Sequence, residues 1–250
     1  MKTNTMTGAF ILAGIGFFTT ANAAPAATEE QPPFDWSGAY AGIHIGYGWG
    51  DSDFTDSEYN GAPPYPTVGW GVDSDGLITG INAGYNWQRD HMIFGLEGEI
   101  GRLNLSGSAA QPGTDPYGIP YDASGTVDKG WYGGLSARLG YAWDRTLLYA
   151  KAGVLYSNAR SGFKDTCTAG PCGNSTASAS KRIGWGYQLG AGVEHAMTKR
   201  WTIKAEYAYL DFGTTTISGN IIGGAFGGKP YDIRSDLSMH TVKIGLNYQF

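Results

Sequence analysis

The chain has 250 residues, 16% of them charged, and a formal net charge of −5 at neutral pH; that balance excludes a nucleic-acid binder working by phosphate neutralisation, which needs a basic surface. Glycine supplies 40 residues, well over twice the roughly 7% usual in proteins, with no collagen period. The glycines sit among Tyr, Trp, Val and Ile, a mixture that points to many strands and close backbone approach.

At the N-terminus Lys2 precedes an apolar run, Gly8–Phe18, and then Ala21-Asn22-Ala23, a small-x-small site. The run is too short to span a membrane as a helix and reads as a secretory signal over residues 1–23, cut between Ala23 and Ala24. Residues 24–35, APAATEEQPPFD, read as a flexible periplasmic leader. The remaining 36–250 read as one domain. No later stretch approaches the ~20 apolar residues of a transmembrane helix.

From there the chain alternates with period two in eight segments. Apolar residues mark one face: Ala39–Trp49, Leu77–Trp87, Met92–Ile100, Trp131–Trp143, Leu148–Tyr156, Ile183–Val193, Trp201–Tyr209 and Val242–Phe250, each taken at every second position. Period two over about ten residues is a strand signature, and ten residues cross a bilayer as a tilted strand. Three connectors are short: Arg89-Asp90, Asp144-Arg145 and Ala196–Arg200. The other four, near residues 51–75, 104–129, 158–181 and 212–237, are long and rich in Gly, Pro, Asp, Ser and Thr. The expected fold is all-β: an eight-stranded antiparallel transmembrane up-and-down barrel with short periplasmic turns and long extracellular loops.

Two eight-stranded barrels compete at this point, a soluble carrier with its apolar face inside and a membrane barrel with that face outside. The second face decides. It is poor in the charge a wet surface needs and heavy in glycine, including Gly42, Gly46, Gly80, Gly84, Gly134, Gly140, Gly184, Gly186, Gly190 and Gly192. Glycine covers a surface badly but leaves interior room for long side chains from other strands. The apolar face carries Trp49, Trp131 and Trp185 towards the long connectors and Trp87, Trp143, Trp201 and Tyr248 towards the short ones, the double aromatic girdle of two lipid–water interfaces. The greasy face is expected to meet lipid.

The lumen then holds Glu97, Glu99, Glu194 and Glu206 against Arg138, Lys151, Lys204 and Lys243. An eight-strand bore is wide enough only for its own side chains, and isolated charges there would cost several kcal/mol each. An ion-pair network that plugs the bore is expected, without an apolar lumen. After export, Cys167 and Cys172 in KDTCTAGPCGNS are expected to close a small disulfide, because the compartment is oxidising and no further Cys or His stands near enough for a metal.

Signals for chemistry are weak. Asp236, Ser238 and His240 could supply an orienter, nucleophile and base, but Val242 continues their side of the strand towards lipid, so no enzyme is expected. Asp51, Asp53, Asp56, Glu58, Asp73 and Asp75 fit no calcium-loop template and read as a solvated acidic loop. His44 is inward and His91 and His195 lie near the short turns, leaving His240 as the candidate for a surface hemin site. No cofactor or metal is expected.

The stretches FDWSGAYAGIHIGYGWG, GWYGGLSARLGYAWDRTLLYAKAGVLY and GWGYQLGAGVEHAMTKRWTIKAEYAYLDFG, with the terminal Tyr-Gln-Phe, resemble the RopB-type outer-membrane proteins of alphaproteobacteria, a family that includes porin-like and hemin-binding surface proteins. The resemblance covers about residues 34–250 and is most specific over 183–213. It implies a Gram-negative outer-membrane barrel without catalytic residues. Its partners would be outer-membrane lipids and lipopolysaccharide, with periplasmic chaperones and the barrel-assembly machinery during biogenesis. Phe250, with Tyr248, Leu246 and Ile244 alternating behind it, is similar to the signal that machinery takes up. The expected role is structural and surface-exposed, in a monomer; the alternatives are a small porin-like channel or a loop-mediated hemin or host-ligand binder.

Overall fold

Period-two alternation becomes strand along nearly all of the computed structural model, which describes residues 33–56, 67–114, 118–167, 174–224 and 227–250. Nine strands form: β1 Gly38–Asp56, β2 Val68–Arg89, β3 Met92–Ala110, β4 Ser124–Asp128, β5 Gly130–Trp143, β6 Thr146–Cys167, β7 Ser175–Ala196, β8 Trp201–Ile222 and β9 Pro230–Gln249. All pairings are antiparallel. β4 and β5 lie end to end between β3 and β6, interrupted at Lys129, so they make one stave. The pairing of β1 with β9 then closes a ring of eight. A closed ring leaves no strand edge to seek a partner, the condition under which a sheet can stand in lipid, which satisfies no backbone group.

The short connectors follow from turn chemistry. Asp90 and Asp144 take φ values of 54° and 50°, in the left-handed region that Asp tolerates better than most residues and that tight hairpins demand. The long connectors differ from expectation. The strands run 19–22 residues on most staves, so most of the stretches 51–75, 158–181 and 212–237 are paired strand and only their tips connect. Composition misled there: Asp51, Asp53, Gly69, Gly71 and Asp73 face outward while Ser52, Phe54, Trp70, Val72 and Ser74 alternate inward between them. About ten residues of each strand form the apolar band, ~25 Å tall at the usual tilt; the rest extends beyond it by roughly 20 Å at 3.3 Å per residue.

Exposure fixes the orientation of the band. Leu135 and Ile244 are 70% and 56% exposed on the outer wall, whereas Arg138 and Glu97 are 3% and 2% exposed in the bore. A soluble carrier would show the opposite. One residue departs from its segment: Ile183 was expected outward with Trp185, yet it is buried in the lumen. Gly184 sits at φ 92°, in the register break where β6 skips from Ser157 to Arg160. There Asn158 and Ala159 of β6 face Ile183 alone, and such a bulge shifts the phase; Gly184 itself pairs with the buried Ser157. A second shift, between Asp211 and Thr214, is absorbed by Gly213 at φ 61°.

Residues 1–32, with the expected cleavage at Ala23 and Ala24, lie outside the described residues, as does Cys172; the disulfide expectation therefore falls outside them too. The leader expected over 24–35 ends sooner. Phe34 and Trp36 are buried and pack edge to face at 4.7 Å with Ile93, Ala142, Leu147 and Tyr149, closing the short-turn end of the bore. Burying two aromatic rings stabilises that end by several kcal/mol, enough to hold a segment that its composition alone would leave loose.

Candidate functional site

Four inward side chains set the frame of the lumen, each opposite a glycine on the neighbouring strand: Tyr40 with Gly84 and His44 with Gly80, Tyr132 with Gly101, and Tyr149 with Gly192. The glycines are required by space. A Cβ on Gly80 would stand 2.5 Å from His44 Nε2 and 2.6 Å from the Ile100 carbonyl. One on Gly84 would overlap the Tyr40 hydroxyl, and one on Gly192 the Tyr149 hydroxyl. Each ring thus leans over a bare backbone, and its polar tip reaches the middle of the bore.

Around those tips converge the eight charges. Lys151 Nζ lies 2.8 Å from Glu206, 3.3 Å from Glu97 and 3.3 Å from Glu99. Lys243 joins Glu99 at 2.8 Å to Glu206 at 3.0 Å, and Lys204 meets Glu97 at 3.0 Å. Arg138 spans Glu194 at 2.8 Å and Glu97 at 3.6 Å, with its guanidinium 3.9 Å above the Tyr149 ring. The tyrosines finish the pattern: Tyr40 donates to Glu97 at 3.0 Å and accepts from Arg138 at 2.6 Å, while Tyr149 donates to Glu206 at 2.9 Å. Glu194 also accepts from Thr202 and, at 2.7 Å, from Asn247 Nδ2. All eight charged side chains are at most 6% exposed. Close geometry and filled lone pairs let the mutual attraction of these groups offset the cost of desolvating them.

Sequence reasoning missed Tyr40, Tyr132, Tyr149 and Asn247 as members of this site, and Asn82, whose Nδ2 donates to Asn247 Oδ1 at 3.0 Å. The available signal was an inward aromatic facing a cross-strand glycine, which needs the register before it can be read. It also missed that the bore turns apolar further out. Above the charges lies a cluster containing Ile78, Leu103, Leu155, Leu210 and Met239. Next come Ser52, Ser161 and Ser235, whose hydroxyls meet at 2.8 and 2.9 Å. Then follows a second apolar cluster with Phe54, Trp70, Phe163, Ile217 and Ile233. The expectation of a lumen without apolar content is corrected: it holds only at the level of the charges.

The remaining candidates lie as follows. Trp49, Trp87, Trp131, Trp143, Trp185 and Trp201 point outward, and Tyr248 packs on Trp201 at 5.0 Å and on Phe250 at 5.3 Å. The Phe250 amide donates to the Ala39 carbonyl at 3.0 Å, docking the last residue beside β1. Ser238 and His240 share the outward face, but no hydrogen bond joins them among the described residues. His240 Nδ1 instead meets the Tyr207 hydroxyl at 2.7 Å, its ring stacks on Trp49 at 5.8 Å, and Asp236 accepts from Thr214. His91 and His195 make local turn contacts with the Ala142 carbonyl and Thr146. His44 bonds the Tyr132 hydroxyl at 2.8 Å.

A closed eight-stave ring with lipid-facing apolar walls, short turns at one end and long strands at the other defines an outer-membrane β-barrel of a Gram-negative bacterium. Residues 10–250 match the family model of the outer membrane protein beta-barrel domain, and the chain belongs to that family. It is 32% identical over 253 residues to the 31 kDa outer-membrane immunogenic protein of Brucella melitensis, covering 96% of this chain and 98% of that protein. It is 28% identical over 232 residues to the 25 kDa outer-membrane immunogenic protein of Brucella abortus, covering 90% and 84%. The outer membrane protease OmpT of Escherichia coli has a similar fold, with a TM-score of 0.51 at 10% identity over 88% of this chain and 99% of that one. That likeness speaks for the barrel alone.

Proposed function

We propose that the chain is a non-enzymatic structural barrel of the outer envelope whose bore is sealed by the ion-pair network and whose long-strand end is exposed at the cell surface. One observation carries this reading: Lys151 is shared among Glu97, Glu99 and Glu206 at 2.8–3.3 Å in the middle of the bore. An ion crossing that level would have to separate several buried pairs, each several kcal/mol to break. The apolar clusters on both sides add dry layers with no polar partner for a hydrated ion. A porin-like path is disfavoured on the same grounds, since aqueous bores need about 16–18 strands. The surface role draws support from the immunogenic relatives, and the non-enzymatic reading from the unlinked Ser238 and His240.

The test is electrical. Full-length protein, folded and inserted in a planar bilayer, is expected to pass no steady current at neutral pH. A stable open conductance from protein that runs as a single folded species would overturn the sealed-bore reading.

A further inference from the structure

Above the apolar band the outer wall of the barrel is polarised. On β9, β1 and β2 it presents Asp236, Asp51, Asp53, Asp73 and Asp75, with Arg234 as their basic neighbour. Four staves away, on β4–β7, it presents Lys129, Arg160, Lys164 and Arg182, with Asp128 as their acidic neighbour. Within the second group Arg160 of β6 and Arg182 of β7 stand directly opposite each other across the strand pair. Like charges so placed repel at the ~5 Å of cross-strand neighbours.

No ion pair among the described residues relieves that repulsion. Neither arginine forms an ion pair among the described residues; Arg160 donates from Nη1 to Ser180 Oγ at 3.2 Å. Asp128 faces Arg160 from the other side yet makes no ion pair with it. Below the two arginines, on the same strands, Tyr156 and Trp185 pack edge to face at 5.4 Å and mark the upper limit of the lipid-facing band. Arg160 is four residues beyond Tyr156, ~10 Å along a tilted strand, and an arginine side chain can lean back towards the interface over its own alkyl stem. Two arginines in register at that height match a phosphate, to whose oxygens each guanidinium fork donates a pair of hydrogen bonds.

We infer that the β6–β7 face binds the phosphate of an outer-leaflet lipid headgroup between Arg160 and Arg182. The assignment rests on the outer-membrane placement of the barrel. The lipid is favoured over a second copy of the chain because the girdle residues beneath the pair set it at headgroup height, where lipid is always present.

The experiment uses the full-length chain in neutral detergent micelles, titrated separately with bisphosphorylated lipid A, its dephosphorylated form and inorganic phosphate, bound ligand being counted by native mass spectrometry. The phosphorylated lipid is expected to bind at least about tenfold more tightly than the dephosphorylated one, the scale of a charge-assisted pair of hydrogen bonds. R160Q/R182Q should erase that difference, while D51N/D73N on the opposite wall should keep it; the same shift in gel mobility on heating as the parent protein shows certifies that both variants fold. A preference for the phosphorylated lipid that persists undiminished in R160Q/R182Q overturns the inference, as does inorganic phosphate bound as tightly as the lipid. So does a concentration-dependent dimer that R160Q/R182Q dissolves while lipid binding stays the same, which would assign the face to the acidic wall of another copy. Strands left open to protease in liposomes would instead remove the membrane placement itself.

Discussion

At membrane level the barrel buries eight charges and turns Leu, Ile and Trp outward; further along the same strands Phe54, Trp70 and Ile233 fill the bore and Asp, Ser and Thr line the outside. Both regions obey the same period-two rule on one continuous sheet. What differs is the medium around them. Lipid takes the apolar face and leaves the polar one to satisfy itself within, whereas water takes the polar face and leaves a small β-barrel with an ordinary hydrophobic core. The two halves should therefore fail differently.

The largest effect is expected from Lys151→Met. Removing the shared cation leaves Glu97, Glu99 and Glu206 with only Lys204, Lys243 and Arg138 to oppose them, and breaking a buried charge arrangement costs about 3–5 kcal/mol. Urea unfolding of the liposome-inserted protein, followed by tryptophan fluorescence, should show the midpoint of the whole barrel falling. An unchanged midpoint would mean that the network contributes register and not stability.

Phe54→Ala comes next and sharpens the contrast. Phe54 is fully buried, stacked on Trp70 at 5.5 Å, and its ring would also meet any side chain placed on Gly125. Truncation costs roughly 3 kcal/mol in such a core, but the loss should stay in the extension. Limited proteolysis is expected to nick residues beyond the girdle while the membrane-level fragment keeps its protection. Simultaneous loss of both would show the two halves to be one cooperative unit.

How much of this can be read from residues follows the same division. The lipid-facing phase is plain in the sequence because each band position repeats on eight staves, and Glu97, Arg138 and Lys243 fall in the opposite phase by simple counting. Their pairing is not legible. Lys151 reaches Glu97 and Glu99 across the intervening β5, and only the stagger between strands decides that. In the extension, composition outweighed pattern: Asp, Gly and Ser between residues 51 and 75 resemble loop, although Phe54, Trp70 and Val72 already carry the alternation in the inward phase. Ile183 was misplaced because Asn158 and Ala159 of β6 face it together, and that bulge shifts the phase of β7 beside Gly184.

The smallest expected effect concerns protons, and it too separates the halves. In the extension the Tyr231 hydroxyl donates to Asp56 at 2.6 Å, and Asp165 lies close to both and to Asp122. Burial first, then a hydrogen bond and repulsion from Asp122, push the Asp165 carboxyl up to about 6. An acid raised in the folded state binds its proton more tightly there than in the unfolded chain, so stability falls as pH rises between about 4 and 6 and is level above that. Acidifying from pH 7 to 5 should therefore strengthen the extension, by about 1 kcal/mol once partial exposure is allowed for. Pulse proteolysis at the two pH values measures it: native protein should be cut more slowly at pH 5, and Asp165→Asn should resist equally at both. If that variant kept the full pH dependence, the titrating group would lie elsewhere, and the acid response could no longer be assigned to the Asp56–Tyr231–Asp165 contact at the outer end of the barrel.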